Sequence, residues 1–184
     1  MFNRADLQRT SARTAGVVLG SLALTGVGVT GAALAASGSG GLSTAGPSET
    51  ADGKFPVRAK HTYGDGLGAG RGHQGQDIMA PCGKPVVAVQ PGRVEFRDYQ
   101  ASGAGNYVVI DGDRKLHDTV YMHLARRASA RKGQQVDAGE VIGRVGSTGR
   151  SSACHLHFEM WARGWSAGKP IDPKPYLERW ERKG

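Results

Sequence analysis

The sequence predicts an all-β protein whose antiparallel sheet forms an open barrel or sandwich and is followed by a short C-terminal helix. Short runs rich in Val, Ile, Thr and Tyr recur between residues 84 and 161, and several alternate apolar with polar residues. This alternation has the period of a half-buried strand. Glycine supplies 29 of the 184 residues and separates many of the runs, which favours turns over helices. Closely spaced short strands of this kind are typical of sandwiches and barrels.

The individual strands are predicted from these runs and from the turn signals between them. Pro91-Gly92 and Asp111-Gly112 mark two of the turns. Strands are predicted at residues 84–89, 93–96, 106–110 and 119–124, at short segments around 136, 141–142 and 145, and at 154–161. The Gly and Val spacing of residues 83–94 is repeated weakly in residues 133–145. This repeat predicts two β-units of similar plan that pack together.

A helix is predicted only in the C-terminal tail. Asp172 is a suitable N-cap and Pro173 suits the first helical position. The helix is expected to continue from Tyr176 to Arg182.

The first 36 residues have the composition of an export signal. Three arginines precede an uncharged Ala, Gly, Val and Leu run over residues 15–36. Because the run approaches the roughly 20 residues that span a bilayer, an uncleaved N-terminal anchor is an alternative to a cleaved signal peptide. Either interpretation predicts an extracellular or cell-envelope location. The composition of residues 37–54 predicts a flexible Gly/Ser-rich linker. We expect residues 55–184 to form the folded domain.

The chain is basic, with a formal net charge of +8 and a pI of about 9.8. This balance favours anionic partners, such as anionic lipid or a bacterial wall polymer. The basic residues form no dense run interleaved with aromatics, so nucleic acid is not expected as a partner. The chain contains two cysteines, Cys82 and Cys154, which permit one disulfide in an exported protein.

The strand predicted at residues 154–161 carries the strongest chemical signal. Its side chains alternate between an apolar face, which includes Leu156 and Phe158, and a face that carries His155, His157 and Glu159. Two imidazoles on one strand face indicate a metal site, a proton-transfer site or both.

Two further segments carry residues of the same chemistry. His73 and Asp77 are four residues apart in a glycine-rich segment whose composition argues against a helix. In an extended chain the two side chains share a face, with the side-chain-free Gly75 between them. His123 lies in the strand predicted at 119–124, and we expect it on the polar face of that strand together with Tyr121.

These residues together predict a catalytic zinc site. Such a site needs three protein ligands with an open position for water, and it benefits from a neighbouring proton-transfer group. The candidates are His73, Asp77, His123, His155 and His157. Spacing does not decide which of His155 and His157 binds the metal.

Three motifs occur in a fixed order: His-x-x-x-Asp at 73–77, Tyr-x-His-Leu at 121–124 and His-Leu-His-Phe-Glu at 155–159. In this order and separation they resemble the lysostaphin/LytM-type zinc endopeptidases. Further matches are Gln-Gly-Gln-Asp-Ile-Met-Ala-Pro at 74–81, Gly-x-Pro-Val at 83–86, Gly-Glu-x-Ile-Gly at 139–143 and Gly-x-Thr-Gly at 146–149. The resemblance covers residues 63–159 and implies the duplicated-hybrid, lysostaphin-like β fold.

The resemblance also implies roles for the five candidate residues. His73, Asp77 and His157 are expected to hold one Zn²⁺ per chain. His123 and His155 are expected to stay off the metal, to polarise the attacking water and to stabilise the tetrahedral oxyanion. If Asp77 and His157 share a metal, their strands are neighbours, so we predict a Cys82–Cys154 disulfide that stiffens the site.

The function implied is that of a monomeric zinc metalloendopeptidase that hydrolyses the stem or cross-bridge peptides of bacterial peptidoglycan. A non-catalytic envelope protein of the same fold, which binds peptidoglycan or activates a partner hydrolase, is the alternative. His123 and His155 favour the enzyme, because metal binding alone does not require them. A biotinyl- or lipoyl-carrier domain is disfavoured, since no lysine stands on a tight hairpin between the two repeated segments.

Overall fold

A computed structural model describes residues 53–112 and 117–184 of the chain. The strands are β1 (Thr62–Tyr63), β2 (Gln76–Met79), β3 (Pro85–Val87), β4 (Gly92–Gln100), β5 (Gly105–Asp111), β6 (Asp118–Leu124), β7 (Gln135–Val136), β8 (Val141–Arg144), β9 (His155–Ala162) and β10 (Lys169–Ile171). The helices are α1 (Ala69–Gly72) and α2 (Lys174–Glu181). Within the described ranges, no helix is long and apolar enough to cross a bilayer.

Most of the strands belong to one large antiparallel sheet. Its order is β1-β2-β9-β6-β5-β4-β7, and β10 pairs with β9 outside this path. Strands β3 and β8 form a separate two-stranded antiparallel sheet. Strand β9 lies between β2 and β6, and so it joins the segment that contains Asp77 to the segment that contains His123.

The large sheet is buried on both faces along its central strands. One face packs against the β3–β8 sheet and α2 in a cluster that includes Phe158, Tyr121 and Trp180. Side chains from the other face, such as Met122 and Trp161, form a second buried cluster. Burial of these apolar side chains, each worth roughly 1.5–3 kcal/mol, fixes the register of β9.

The two segments that share a Gly/Val pattern pair with each other. Val86 of β3 pairs with Gly143 of β8, and Gly92 of β4 pairs with Val136 of β7. The repeated pattern therefore belongs to strands that pack together, as the sequence predicts.

The all-β class, the antiparallel sheet and the short C-terminal helix are all confirmed. Helix α2 begins at Lys174, one residue later than predicted, and Pro173 takes the N-cap position. Asp172 still accepts a hydrogen bond from the Lys174 N–H at 3.0 Å. A single helical turn, α1, lies just before His73, where no helix is predicted, and positive φ angles at Gly70 (54°) and Gly72 (87°) make it irregular. The segment from His73 to Asp77 is not helical, as predicted.

The predicted N-terminal segment 1–36 and residues 37–52 of the predicted linker lie outside the described residues. Gly53 is buried, and the Lys54 N–H donates to the Val89 carbonyl at 2.7 Å. Packing against the domain therefore already includes the last two residues of the predicted linker.

Cys82 and Cys154 form the predicted disulfide, with Cα atoms 5.2 Å apart. Cys82 follows β2 and Cys154 immediately precedes β9, and these two strands pair directly. The disulfide therefore links the two strands that carry Asp77 and His157.

Removal of this disulfide by the double substitution Cys82→Ser/Cys154→Ser should lower the free energy of unfolding. The bond closes a loop with a sequence separation of 72 residues, and loop-closure entropy for such a loop predicts a loss of about 4 kcal/mol. Denaturant unfolding of the variant and of the reduced wild-type protein measures this loss. A change below about 1 kcal/mol in both would contradict the stabilising role.

Candidate metal centre

One carboxylate oxygen, Oδ1 of Asp77, lies close to three of the histidines of the site. Asp77 pairs directly with His157 in the β2–β9 register. Its Oδ1 atom accepts hydrogen bonds from His157 Nδ1 at 2.9 Å and from His73 Nε2 at 3.1 Å. His155 Nε2 lies 3.7 Å from the same oxygen. Directly opposed residues of an antiparallel pair project to the same face, so strand register alone brings Asp77 to His157.

His73 is positioned by the segment before β2. Its ring donates from Nδ1 to the Gly66 carbonyl at 2.9 Å, which directs Nε2 towards Asp77. Gly75, between His73 and β2, approaches the backbone of β9 closely, because an added Cβ there would overlap the Phe158 carbonyl. Glycine at this position therefore lets the His73 segment lie against β9.

His157 is held from its other side by a buried carboxylate. Its Nε2 donates to Glu159 Oε1 at 3.0 Å, and the Trp161 indole N–H donates to Glu159 Oε2 at 2.7 Å. Glu159 is only 3% exposed and His157 only 7%. We assign a fixed proton to Nε2 of His157, which Glu159 accepts. Nδ1, which donates to Asp77, could bind a metal after it releases its proton.

His123 reaches the site through a β-bulge. Asn106 pairs with Leu124 and Val108 with Tyr121, so β6 contains one extra residue opposite β5. His123 has φ of 59°, a left-handed conformation that costs a residue other than glycine about 1–3 kcal/mol. Regular alternation would have placed His123 on the face of the buried Tyr121.

The prediction that Tyr121 and His123 share a polar face of β6 is therefore wrong. Tyr121 is fully buried in the core, while Val120 and Met122 lie on the opposite face in the second cluster. The left-handed backbone at His123 breaks the alternation, and its ring then lies 4.7 Å from that of His155 and 6.0 Å from that of His157.

Thr148 holds His123 in this conformation. The Thr148 carbonyl accepts a hydrogen bond from His123 Nδ1 at 2.8 Å. The Thr148 hydroxyl donates to the Leu124 carbonyl at 2.8 Å and accepts from the Asn106 N–H at 2.9 Å. An added Cβ on Gly105 would overlap Thr148, so glycine is required for this close approach.

His155 lies at the open side of the group. Its side chain is 12% exposed, and its Nδ1 donates to the Ala153 carbonyl at 3.0 Å. The His155 backbone N–H donates to the Gly146 carbonyl at 3.1 Å. This pairing fixes the start of β9 next to the segment that contains Thr148.

The arrangement shifts the pKa values of the residues around Asp77. Burial alone would raise the pKa of Asp77, but hydrogen bonds from His157 and His73 hold it well below its usual range. The hydrogen bond to Asp77 raises the pKa of His73. Burial would lower the pKa of His157, but hydrogen bonds to Asp77 and Glu159 outweigh it and raise the pKa to about 9.

His123 differs from these two histidines, because burial lowers its pKa to about 4. The His123 ring is therefore neutral at physiological pH. Its Nδ1–H is engaged by Thr148, so the second nitrogen carries the lone pair.

The donor set fits a metal ion. One ligand atom each from His73, Asp77 and His157 lies within 4.8 Å of the others. Two imidazoles and a carboxylate are typical of catalytic zinc sites with three protein ligands. His155 lies close to Asp77 but is not a member of this group, which supports the choice between His155 and His157 that the family resemblance implies.

Comparison with known proteins identifies the family. The model of Peptidase family M23 matches residues 71–173, more than half of the chain. The chain belongs to peptidase family M23. The matched region contains all five candidate residues, together with Glu159 and Thr148.

Individual M23 relatives agree with this assignment. The chain is 34% identical over 142 residues to the L-Ala--D-Glu endopeptidase of Bacillus subtilis, covering 70% of this chain and 43% of the relative. The catalytic domain of the antimicrobial peptidase lysostaphin from Staphylococcus simulans superposes with a TM-score of 0.58 at 32% identity, covering 64% and 92% of the two chains. A zinc-containing peptidase from Vibrio cholerae gives a TM-score of 0.57 at 33% identity, covering 64% and 37%. The match spans about a quarter of the full lysostaphin sequences.

The structure thus brings together all five residues proposed from the sequence. The sequence places Glu159 on the polar face of β9 but assigns it no role. It marks Thr148 only as part of the Gly-x-Thr-Gly pattern. The alternation of β9 for Glu159 and the Gly-x-Thr-Gly pattern for Thr148 are the sequence signals that point to these residues, but their contacts depend on tertiary packing.

Glu159→Gln should weaken zinc binding, because the amide cannot both accept from His157 and accept from the Trp161 indole as the carboxylate does. Loss of a hydrogen-bond partner of a metal-binding histidine costs about 10–100-fold in affinity. Titration against a chromophoric chelator measures this change. Glu178→Gln, on the exposed surface of α2, is the matched control and should bind zinc like the wild type; equal affinity in Glu159→Gln would contradict the role.

Proposed function

We propose that this M23 peptidase is a zinc metalloendopeptidase that cleaves peptide bonds in the stem or cross-bridge peptides of bacterial peptidoglycan. The observation that carries the proposal is the convergence of His73, Asp77 and His157 as one donor group beside two further histidines. Metal binding needs the first three side chains alone. The additional imidazoles of His123 and His155 favour catalysis over a purely binding role.

His73, Asp77 and His157 would hold one zinc ion per chain. A bound zinc ion lowers the pKa of a water molecule to about 7 and polarises a substrate carbonyl. Glu159 orients the His157 ring, and the Gly66 carbonyl orients the His73 ring, so both rings are preorganised for this role.

His123 and His155 would manage the proton transfers of hydrolysis. In both rings Nδ1–H is bonded to a backbone carbonyl, of Thr148 and Ala153 respectively, so Nε2 can accept a proton. The water oxygen adds to the carbonyl carbon, an imidazole takes the water proton, and that proton then passes to the leaving amine nitrogen as the C–N bond breaks. A protonated imidazole at the same place can stabilise the oxyanion.

The net charge and the disulfide of the chain both suit a protein that acts on the bacterial cell wall outside the cytoplasm. The net charge of +8 attracts anionic wall polymers, and the disulfide suits an oxidising environment outside the cytoplasm. We infer a monomer located outside the cell or in the envelope, either released by cleavage of segment 1–36 or tethered by it. The Gly-Gly bond of a cross-bridge and the bonds of an acidic stem peptide are both candidate cleavage sites.

Digestion of purified peptidoglycan tests the proposed function. Walls of several chemotypes are incubated with the protein, with and without a zinc chelator, and the released fragments are identified by mass spectrometry. We expect new amino and carboxyl termini in at least one chemotype and none after metal removal. Cleavage that persists in the metal-stripped protein, or no cleavage of any wall, would contradict the proposal.

Substitution should separate metal binding from catalysis. His123→Ala and His155→Ala should each retain one zinc per chain but lose about 10²–10⁴-fold in wall cleavage, the usual contribution of a general acid or base. His73→Ala and His157→Ala should lose the metal itself. Zinc content and fragment release from the same preparations measure the two properties.

His117→Ala is the control, because His117 lies outside the site and its ring packs against Tyr176. It should retain both zinc and activity. A His155→Ala variant that cuts no wall but keeps the full biological phenotype of the protein would instead favour the non-catalytic envelope protein.

A further inference from the structure

A cavity lined by arginines lies outside the metal centre. Its volume is about 630 Å³, within the usual range of binding pockets for small molecules or short peptides. Arg126, Arg127 and Arg144 line it together with small residues such as Gly83 and Ala125. None of the lining side chains given by the described residues is a carboxylate.

The three guanidinium groups make the cavity strongly positive. Arg144 donates to the Gly83 carbonyl at 2.9 Å, which fixes its guanidinium at the cavity wall and leaves other N–H groups for a ligand. Arg127 lies 3.8 Å from Asp98, but both side chains are well exposed, so this ion pair is weak. Guanidinium groups bind planar carboxylates with two parallel hydrogen bonds.

The cavity adjoins the backbone that positions the catalytic histidines. The Ala125 N–H donates to the Arg144 carbonyl at 2.9 Å, so these lining residues lie side by side. Arg144 is two residues before Gly146, whose carbonyl accepts from the His155 N–H, and Arg126 is three residues after His123. Two or three residues span at most about 7 to 11 Å, so the backbones of Arg144 and Arg126 lie no farther than this from Gly146 and His123.

We propose that this arginine-lined cavity is a substrate subsite that binds a free carboxylate of an acidic stem peptide close to the scissile bond. The inference rests on the proposed function and narrows its substrate class. A Gly-Gly cross-bridge has no side-chain charge and would leave three guanidinium groups without a ligand. A stem peptide carries side-chain or α-carboxylates within a few residues of its cleavable bonds, and the lining residues Arg126 and Arg144 are within three residues of His123 and Gly146 in the chain.

The test compares cross-linked stem peptides with free carboxylates and the same peptides with those carboxylates converted to carboxamides. Products and kcat/KM are measured for the wild type and for Arg126→Gln/Arg144→Gln, in protein of equal zinc content. We expect the wild type to prefer the free acid by about tenfold, equivalent to about 1.4 kcal/mol. The double variant should lose this preference and cleave the carboxamide like the wild type.

Two further variants sharpen the comparison. Arg126→Lys/Arg144→Lys keeps the charge but loses the planar fork, so we expect it to retain only part of the preference. Arg182→Gln, on the exposed end of α2, removes an arginine outside the cavity and should retain the full preference.

The outcomes distinguish the inference from the function on which it rests. If the wild type cleaves neither peptide nor any purified wall, the proposed function fails. If it cleaves both peptides equally, or cleaves Gly-Gly bridges alone, the function stands and the subsite is overturned. An effect of the double variant confined to walls that carry phosphate polymers, with unchanged peptide kinetics, would also overturn the carboxylate assignment.

Discussion

The hydrogen bonds of Asp77 are the interaction on which the site depends. One oxygen of this carboxylate contacts His157 across the β2–β9 pair and His73 from the preceding segment. Its partly buried position makes an unpaired negative charge costly, so histidine partners or a cation are required to stabilise it. The Cys82–Cys154 disulfide joins the same two strands just beyond this contact. The disulfide and two of the candidate metal ligands, Asp77 and His157, thus lie on or next to the β2–β9 strand pair.

The backbone around the Asp77 centre is strained at one residue and closely packed at two glycines. His123 adopts a left-handed backbone, and hydrogen bonds to Thr148 and Ala104 hold it there. Gly75 and Gly105 allow segments to approach each other more closely than any other residue would permit. Strained residues of this kind persist only where the surroundings fix them, and they cluster at functional sites. The bulge at His123 therefore positions its imidazole ring next to the other histidines of the site.

Local patterns made much of the fold and the candidate site predictable. Alternation in residues 154–161 places His155 and His157 on one face, and strand pairing supplies Asp77 to that face. The position of His123 was not predictable in the same way, because its bulge depends on contacts with Thr148, which is distant in sequence. The burial of Glu159 likewise follows from the second apolar cluster around Trp161, which alternation alone does not reveal. The position of His123 and the burial of Glu159 depend on tertiary packing, whereas the strands follow from local sequence patterns.

The central claim is that Asp77 and two histidines form a zinc centre. X-ray absorption at the zinc edge, on purified protein with its metal content determined, tests it most directly. The claim predicts one zinc per chain with nitrogen and oxygen ligands alone at about 2.0–2.2 Å, including two imidazoles, and loss of the bound zinc in His157→Ala. A spectrum with sulfur ligands, or an unchanged spectrum and zinc content in His157→Ala, would contradict it.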